Sequence, residues 1–204
     1  IIAGVNTDNT EIMVYKNKTL LTKVPYRSDA NSISFRLSCT GTRLIVLDPL
    51  IRNQLGTMSV YDYNGAKFVL TSTYEPSGES QIGLNPDRFS FNQDLTMGVW
   101  IFGGKGRVFS EVNGVWVEGG ATTLDSKVFL CVAMHPKLSK LAISSKADAG
   151  YTYLIMDYDK TAKTLKVVQT EVPTTNVSGY ARVDLSDTYA LLLSDKDVYL
   201  VPLN

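Results

Sequence analysis

The segment Met58–Leu70, MSVYDYNGAKFVL, contains two short β-rich runs on either side of the turn residues Asn64-Gly65. Val, Tyr and Phe favour strands, and Asn-Gly between two such runs is the strongest short-range signal of a β-hairpin. The segment therefore predicts an antiparallel pair of strands joined by a tight turn.

The same arrangement of strand, polar turn and strand recurs along the chain. The other instances are Glu11–Leu21, Arg107–Val117 and Tyr153–Val168. The aligned residues Tyr15, Tyr61, Phe109 and Met156 are separated by 46, 48 and 47 positions. A fifth strand, Asp197–Val201, follows at the same interval. A period of about 40 to 50 residues with several short strands per unit is typical of a β-propeller.

A second pair of strands precedes each of the later hairpins. These pairs lie at 33–47, 89–101, 128–143 and 181–192, so that a complete unit has four strands, A to D. Strands A and B are nearly continuous apolar runs, which is typical of strands buried on both faces. Strand D alternates, as in Lys67–Thr73, and we expect it at an exposed outer edge.

These patterns predict an all-β chain: a β-propeller of four-stranded antiparallel blades in a single domain over 1–204. The units fall at about 1–24, 32–74, 88–119, 128–172 and 181–204. The first unit supplies only strands B, C and D, and the last supplies only A, B and C. We favour five blades with incomplete first and last blades. An arc of a larger propeller and a ring completed by another chain are the alternatives.

Charge and hydropathy exclude two classes of partner. Lys plus Arg number 20 and Asp plus Glu number 20, so the chain lacks the positive field that a general nucleic-acid surface needs. The longest apolar run, Val128–Met134, has seven residues, whereas a membrane-spanning helix needs about 20. We therefore expect no nucleic acid and no membrane as partners.

Several motifs resemble WD40-like propellers. The turn Leu37–Leu44, LSCTGTRL, resembles the turn between the first two strands of such repeats, with Thr40 at the family's Asp position. The runs Val60-Tyr-Asp62 and Ile155-Met-Asp157 resemble the ending of the third strand. No Gly-His or Trp-Asp dipeptide occurs, so the structural tetrad of regular repeats cannot be carried over.

The turns and the Asn/Asp/Thr-rich loops are also similar to divergent propellers of phage and other virion proteins. This resemblance implies a non-enzymatic structural or attachment role, with a virion or a soluble cytoplasmic location. Its expected partners are proteins, either further copies of the chain or other particle proteins.

Residues that could carry chemistry are few, and each has a structural interpretation. His135, the single histidine, precedes Pro136, and we expect a solvated turn residue. The segment Gly103–Gly106 lies between two strands, whereas a phosphate-binding loop must precede a helix. We expect a hairpin turn there.

The aspartates fall into two groups, one at Asp148, Asp157 and Asp159 and the other at Asp184, Asp187, Asp195 and Asp197. They lack calcium-loop spacing and are typical turn formers. Cys39 and Cys131 are interpreted as small buried residues in strands, although spacing alone does not decide whether they form a disulfide. We expect no catalytic residues, no metal and no cofactor, and therefore no enzyme.

Four tyrosines are the candidate binding residues. Tyr26, Tyr74, Tyr151 and Tyr180 lie near loops between units, where aromatic side chains often serve as contact residues. A seal between neighbouring blades is the alternative role for the same side chains.

Three functions follow from these features. The favoured one is a structural or protein-interaction module. A carbohydrate-binding propeller, with a glycan as its ligand, is the alternative, and an enzyme with its site at the central channel is the third.

Overall fold

The computed structural model describes residues 1–8, 10–25, 34–48, 57–75, 89–102, 105–123, 128–147, 150–171, 182–193 and 198–203. Within these ranges the regular structure is entirely β, with the strands arranged in five antiparallel sheets. No helix in the described part of the chain has the length and apolar character required to cross a membrane.

Contacts divide the chain into two compact units, of which unit 1 comprises 1–84 and 114–116 and unit 2 comprises 85–113 and 117–204. Unit 1 contains a three-stranded sheet and a four-stranded sheet, each with its strands in chain order. The strands are β1 (Ile2–Val5), β2 (Glu11–Lys16) and β3 (Thr19–Pro25), then β4 (Ser34–Leu37), β5 (Arg43–Asp48), β6 (Thr57–Tyr63) and β7 (Phe68–Tyr74).

The other eleven strands form two four-stranded sheets and a final three-stranded sheet. The first of these contains β8 (Phe89–Phe91), β9 (Met97–Phe102), β10 (Lys105–Val112) and β11 (Val115–Thr123). The second contains β12 (Val128–Met134), β13 (Lys140–Ala147), β14 (Gly150–Asp159) and β15 (Thr164–Glu171). The last contains β16 (Arg182–Leu185), β17 (Tyr189–Leu193) and β18 (Val198–Pro202).

Three of the four residues that mark the sequence period, Tyr15, Tyr61 and Met156, also mark a shared irregularity of the sheets. The register of β2 with β3 shifts between Val14 and Tyr15, and that of β6 with β7 shifts between Val60 and Tyr61. The register of β14 with β15 shifts between Ile155 and Met156. A β-bulge increases the local twist of a hairpin, so the period predicted from sequence corresponds to a repeated backbone feature.

The turn that follows the first strand of each sheet is closed by one side chain. In each turn a single side-chain atom accepts hydrogen bonds from two backbone N–H groups. The residues are Asn6, Ser38, Asn92, His135 and Ser186. In the third turn, for example, Asn92 Oδ1 accepts from Thr96 at 2.9 Å and from Met97 at 3.0 Å. Local side-chain acceptors of this kind are the reason that polar residues favour turns.

Two hairpins use two-residue turns with positive φ at both positions. These are Asn17-Lys18, with φ of 49° and 67°, and Asn113-Gly114, with φ of 51° and 78°. A type I′ turn requires this geometry because its twist matches that of the flanking strands. The Asn113-Gly114 turn was expected from sequence, and β9 and β10 likewise pair on either side of residues 103 and 104, with Phe102 opposite Lys105.

Apolar side chains of neighbouring sheets form the cores of both units. In unit 1 the core contains Ile12 and Val14 of the first sheet with Leu44 and Val46 of the second. Unit 2 has one cluster that joins its first two sheets and another that joins its last two. The first strands of the second and third of these sheets contribute, as Val132 and Val183 illustrate.

The last strands of two of the four-stranded sheets, β7 and β15, carry exposed side chains, as strand D was expected to do. Val69 and Leu70 of β7 are exposed, and so are Val167 and Val168 of β15. By contrast, Leu44 and Ile45 of β5 are fully buried. The predicted all-β fold of five sheets, with three strands in the first and in the last, is confirmed, whereas a single domain over 1–204 stays a prediction.

An ion pair explains the Asp near the end of two of the third strands, β6 and β14. Asp62 lies opposite Arg43, whose Nε and Nη2 donate to its two carboxylate oxygens at 2.7 and 3.1 Å. Asp157 lies opposite Lys140, with 2.7 Å between Nζ and Oδ1. Burial raises the pKa of Asp62, but the hydrogen bonds from Arg43 and Thr71 and the charge of Arg43 outweigh it and hold the pKa below its usual range.

Replacement of Asp62 by Asn should destabilise the protein in a pH-dependent way. A carboxylate whose pKa is lowered on folding stabilises above its unfolded pKa of about 3.9 and loses this contribution as the pH falls through its folded pKa. We expect Asp62→Asn to cost about 0.5–1 kcal/mol near neutral pH, because the pair is partly exposed. The cost should disappear in strong acid.

Urea denaturation of both proteins across this pH range measures the effect. Asp8→Asn, which changes an exposed carboxylate, is the control and should have little effect at any pH. A cost for Asp62→Asn that stays constant into strong acid would contradict the role of the ion pair.

Candidate functional site

The four predicted binding tyrosines are not described to the same extent. Tyr26 and Tyr180 lie outside the described residues. The backbone of Tyr151 belongs to β14 and is paired with Lys146. Tyr74 ends β7 opposite Met58 and is partly buried. The proposed row of loop aromatics therefore stays a prediction.

His135 is buried, and the expectation of a solvated turn residue is wrong. Its side chain is 1% exposed, and its Nδ1 accepts hydrogen bonds from the backbone N–H groups of Lys137 at 3.0 Å and Leu138 at 2.9 Å. Its Nε2 lies 3.4 Å from the carbonyl oxygen of Asp187. A general base needs a ring nitrogen that can take up a proton from a reacting group, whereas both nitrogens of this ring contact backbone groups.

The turns at this end of unit 2 are joined to one another. Gln93 donates its backbone N–H to the carbonyl of Pro136 at 3.0 Å, which links the first sheet of the unit to the second. The contact between His135 and Asp187, together with an ion pair between Lys137 and Asp187, links the second sheet to the third. His135 therefore has a structural role in two places, within its own turn and between sheets.

Three aspartates of the predicted groups, Asp157, Asp159 and Asp187, serve a turn or an ion pair in the described residues. Asp159 Oδ1 accepts from the backbone N–H groups of Thr161 at 2.8 Å and Ala162 at 2.9 Å. Asp157 and Asp187 pair with lysines, and the predicted use of Asp159 as a turn former is confirmed. Among the described residues no group of three or more His, Cys, Asp or Glu side chains is arranged to hold a metal ion. Asp148, Asp195 and Asp197 lie outside them.

The two cysteines are not joined to each other by a disulfide, and they occupy different environments. Cys131 is 6% exposed in β12, as expected, with its Sγ 3.8 Å from the carbonyl oxygen of Val183. Cys39 is exposed in the turn between β4 and β5, so the prediction of a buried strand residue is wrong for this cysteine. The turn is closed by the buried side chain of Ser38, and the next residue faces solvent.

One face of the first sheet of unit 1 carries exposed apolar side chains. Ile2 of β1 is 74% exposed, and it lies opposite Tyr15 of β2, which in turn lies opposite Leu20 of β3. Tyr15 and Leu20 are also exposed. The other face of the same sheet belongs to the core through Ile12 and Val14. We call the exposed surface of Ile2, Tyr15 and Leu20 the first-sheet face.

The last sheet of unit 2 has the same asymmetry. Val198 and Leu200 of β18 are 64% and 66% exposed, and Tyr189 of β17 is 46% exposed. Leu200 lies opposite Leu191, and Tyr189 lies opposite Pro202. The opposite side of the sheet is buried through Ala190 and Leu192. We call the exposed surface of Tyr189, Val198 and Leu200 the last-sheet face.

Sequence reasoning located the incomplete blades but missed these two faces. The alternation of Val198, Leu200 and Pro202 with Tyr199 and Val201 is visible in the sequence. A run that is apolar on both sides also describes a fully buried strand, so the pattern alone cannot indicate which side lacks a neighbour.

Comparison with known proteins identifies the fold and not a family. The sequence matches no family model and no curated protein. Among solved structures, the β-propeller domain of Myceliophteria thermophila Cps50 (Swd1) aligns over 99% of this chain and 65% of its own, with a TM-score of 0.62 and 6% identity. The WD40 domain of SCAP from fission yeast aligns over 98% and 46%, with a TM-score of 0.58 and 12% identity.

An enzyme is also among the similar structures. A chain of hydrazine synthase from Kuenenia stuttgartiensis aligns over 93% of this chain and 57% of its own, with a TM-score of 0.58 and 12% identity. The chain spans less than two thirds of each of these three structures. At these identities the likeness defines the fold alone, which is a WD40-like β-propeller as predicted.

His135 offers a test of the turn mechanism. We expect His135→Ala to lower the free energy of unfolding by about 2 kcal/mol, because the N–H groups of Lys137 and Leu138 lose their acceptor and the ring leaves a cavity. His135→Asn places a side-chain oxygen where Asn6 and Asn92 have theirs, and it should recover about 1 kcal/mol of this loss. Chemical denaturation measures both values, and an equal loss in the two variants would contradict the capping role.

Proposed function

We propose that the chain is a non-enzymatic protein-interaction propeller whose terminal sheets bind partner sheets through the first-sheet face and the last-sheet face. The observation that carries this proposal is the exposure of Val198 and Leu200, at 64% and 66%, on a sheet whose opposite side packs into the core through Ala190 and Leu192. Contiguous exposed apolar patches on proteins mark interaction surfaces.

The energetics favour the use of both faces. Full burial of a Val, Leu, Ile or Phe side chain contributes about 1.5–3 kcal/mol, so the two aliphatic side chains on each face give about 3–6 kcal/mol, to which the tyrosine of that face adds. Association costs about 4–15 kcal/mol in lost freedom of motion. One face alone therefore supports weak binding, whereas an assembly that covers both faces of each copy is stable.

The partner is a second copy of the chain, with the last-sheet face of one copy against the first-sheet face of the next. Both faces are apolar, and charged residues accompany each of them. Glu11 and Lys23 form an ion pair of 3.1 Å on the first sheet, and Arg182 and Asp184 lie opposite Leu193 and Leu191 on the last sheet. Each sheet therefore has a positively and a negatively charged side chain near its apolar face. In a head-to-tail contact, each of these charges can lie near a charge of opposite sign on the next copy.

Head-to-tail contacts of this kind form rings when the rotation closes and filaments when it does not. Repetition of one chain is the construction principle of viral particles, and we assign the protein to such a structural role. The particle assignment also rests on the resemblance of its turns and loops to virion propellers. Carbohydrate binding stays the alternative function, and the absence of binding on a glycan array would remove it.

Substitution of the last-sheet face tests the proposal. We expect Val198→Lys combined with Leu200→Lys to weaken self-association by more than about a hundredfold, because burial of each apolar side chain is lost and each lysine must be desolvated. Size-exclusion chromatography with light scattering should give a multiple of 22.5 kDa for the natural chain and the monomer mass for the variant.

The matched control is Val167→Lys combined with Val168→Lys, which changes two exposed residues of an outer strand in the same unit. This control should retain the assembly. A natural chain that remains a 22.5 kDa monomer at all concentrations, or a control that dissociates as completely as the variant, would contradict the proposal.

A further inference from the structure

Unit 2 contains a cavity of about 380 Å³ that lies apart from the last-sheet face. Its walls come from Ser110 and Val112 of β10, Val117 of β11 and Tyr158 of β14, and its rim carries Lys160 and Lys163 of the following turn. Ligand sites in proteins begin at about 300 Å³, and an engineered cavity of about 150 Å³ holds benzene. The volume is therefore sufficient for a ring with a short polar group.

The floor of the cavity is held in place by close packing. Tyr158 is 4% exposed, and its hydroxyl is hydrogen-bonded with the side chain of Ser110. Gly119 allows this arrangement, because a Cβ atom at that position would overlap the hydroxyl of Tyr158. Gly120 likewise allows the carbonyl of Lys163 to approach β11. The absence of a Cβ atom at two consecutive glycines thus leaves room for the hydroxyl of Tyr158 and for the turn that carries the two lysines.

Two lysines stand at the rim of the cavity. Lys160 and Lys163 are exposed, and Glu111 is the one carboxylate among the lining residues. The nearby carboxylate of Asp159 is engaged by the N–H groups of Thr161 and Ala162. These hydrogen bonds leave the negative charge of Asp159 in place, so the two ammonium groups and the two carboxylates are equal in number, but only Glu111 of the two carboxylates lines the cavity.

The backbone at Lys163 is unusual for its residue type. Its φ is +54°, in the left-handed region where Gly or Asn is preferred and a lysine is disfavoured.

We propose that this cavity binds a carboxylate carried on an aromatic or aliphatic body. The body would contact Val112 and Val117, and the carboxylate would pair with Lys160 and Lys163. Because Ser110 and Tyr158 are hydrogen-bonded to each other, one hydroxyl hydrogen of this pair remains to donate to the ligand. Burial raises the pKa of Tyr158, the hydrogen bond with Ser110 opposes this, and the charge of Asp159 raises it further. The phenol therefore remains a donor at neutral pH.

Such a carboxylate has two sources, a free organic acid and the carboxyl-terminal residue of another protein. Phenylacetate represents the first, and the peptide Gly-Gly-Phe represents the second. Saturation-transfer NMR on the full chain reports weak binding of both, irrespective of the assembly state. For a ligand of this size we expect a Kd of about 0.1–5 mM.

Three control compounds show whether binding depends on the negative charge of the ligand or only on its shape. Phenylacetamide lacks the charge, phenethylamine reverses it, and amidated Gly-Gly-Phe lacks the terminal carboxylate. We expect phenylacetate to bind at least about tenfold more tightly than phenylacetamide, and phenethylamine not to bind. Binding of phenylacetate without Gly-Gly-Phe indicates a small-molecule site, whereas stronger binding of the peptide indicates a chain terminus.

Lys163→Gly is the decisive variant, because glycine adopts a φ of +54° more readily than lysine does. The variant should keep the melting temperature while losing about fivefold or more in affinity, and Lys160→Gln combined with it should abolish binding. Lys166→Gln, which changes an exposed lysine of β15 outside the cavity, is the matched control and should bind normally. The inference is overturned if no carboxylate binds, if the amide or the amine binds equally well, or if the two cavity variants bind like the natural chain.

Discussion

Contact between apolar sheet faces is the interaction on which the rest of this structure depends. A sheet that is apolar on both sides is stable in water only when each side is covered by another sheet. The inner strands obey this rule, with Leu44, Ile45, Leu141 and Ile143 all fully buried. Two surfaces do not obey the rule. The first-sheet face and the last-sheet face have the apolar composition of buried surfaces, but both are exposed. The proposed self-association would cover each of these two faces with the sheet of another copy.

The turns and bulges make this packing repeatable without a repeated sequence. Asn, Ser and His side chains close equivalent turns because each presents an acceptor near the backbone, so the geometry recurs while the residue changes. Bulges also recur at equivalent positions beside residues of different types, Tyr15, Tyr61 and Met156. The absence of family motifs is therefore compatible with a regular fold, since hydrogen-bond geometry is shared by residues of different chemical types.

The strands, their order and the incomplete terminal sheets were predictable from sequence, because hairpin turns such as Asn113-Gly114 and the alternation of strand D are local signals. The environment of His135 was not predictable. Its burial arises from the packing of its turn against Asp187, a residue that is distant in sequence. The cavity was missed for the same reason, because β10, β11 and the turn after β14 come together only through the packing of two sheets.

Hydrogen exchange at the two terminal sheets tests the central claim most directly. Coverage of a sheet face lowers the frequency of local opening and so protects its amide hydrogens. Across about a hundredfold range of protein concentration that spans assembly, the amides of β1 and β18 should become more protected. Those of the outer strands β7 and β15 should not change. Protection of β1 and β18 that is the same at every concentration would contradict the account, because faces that bind further copies must be covered as the copies associate.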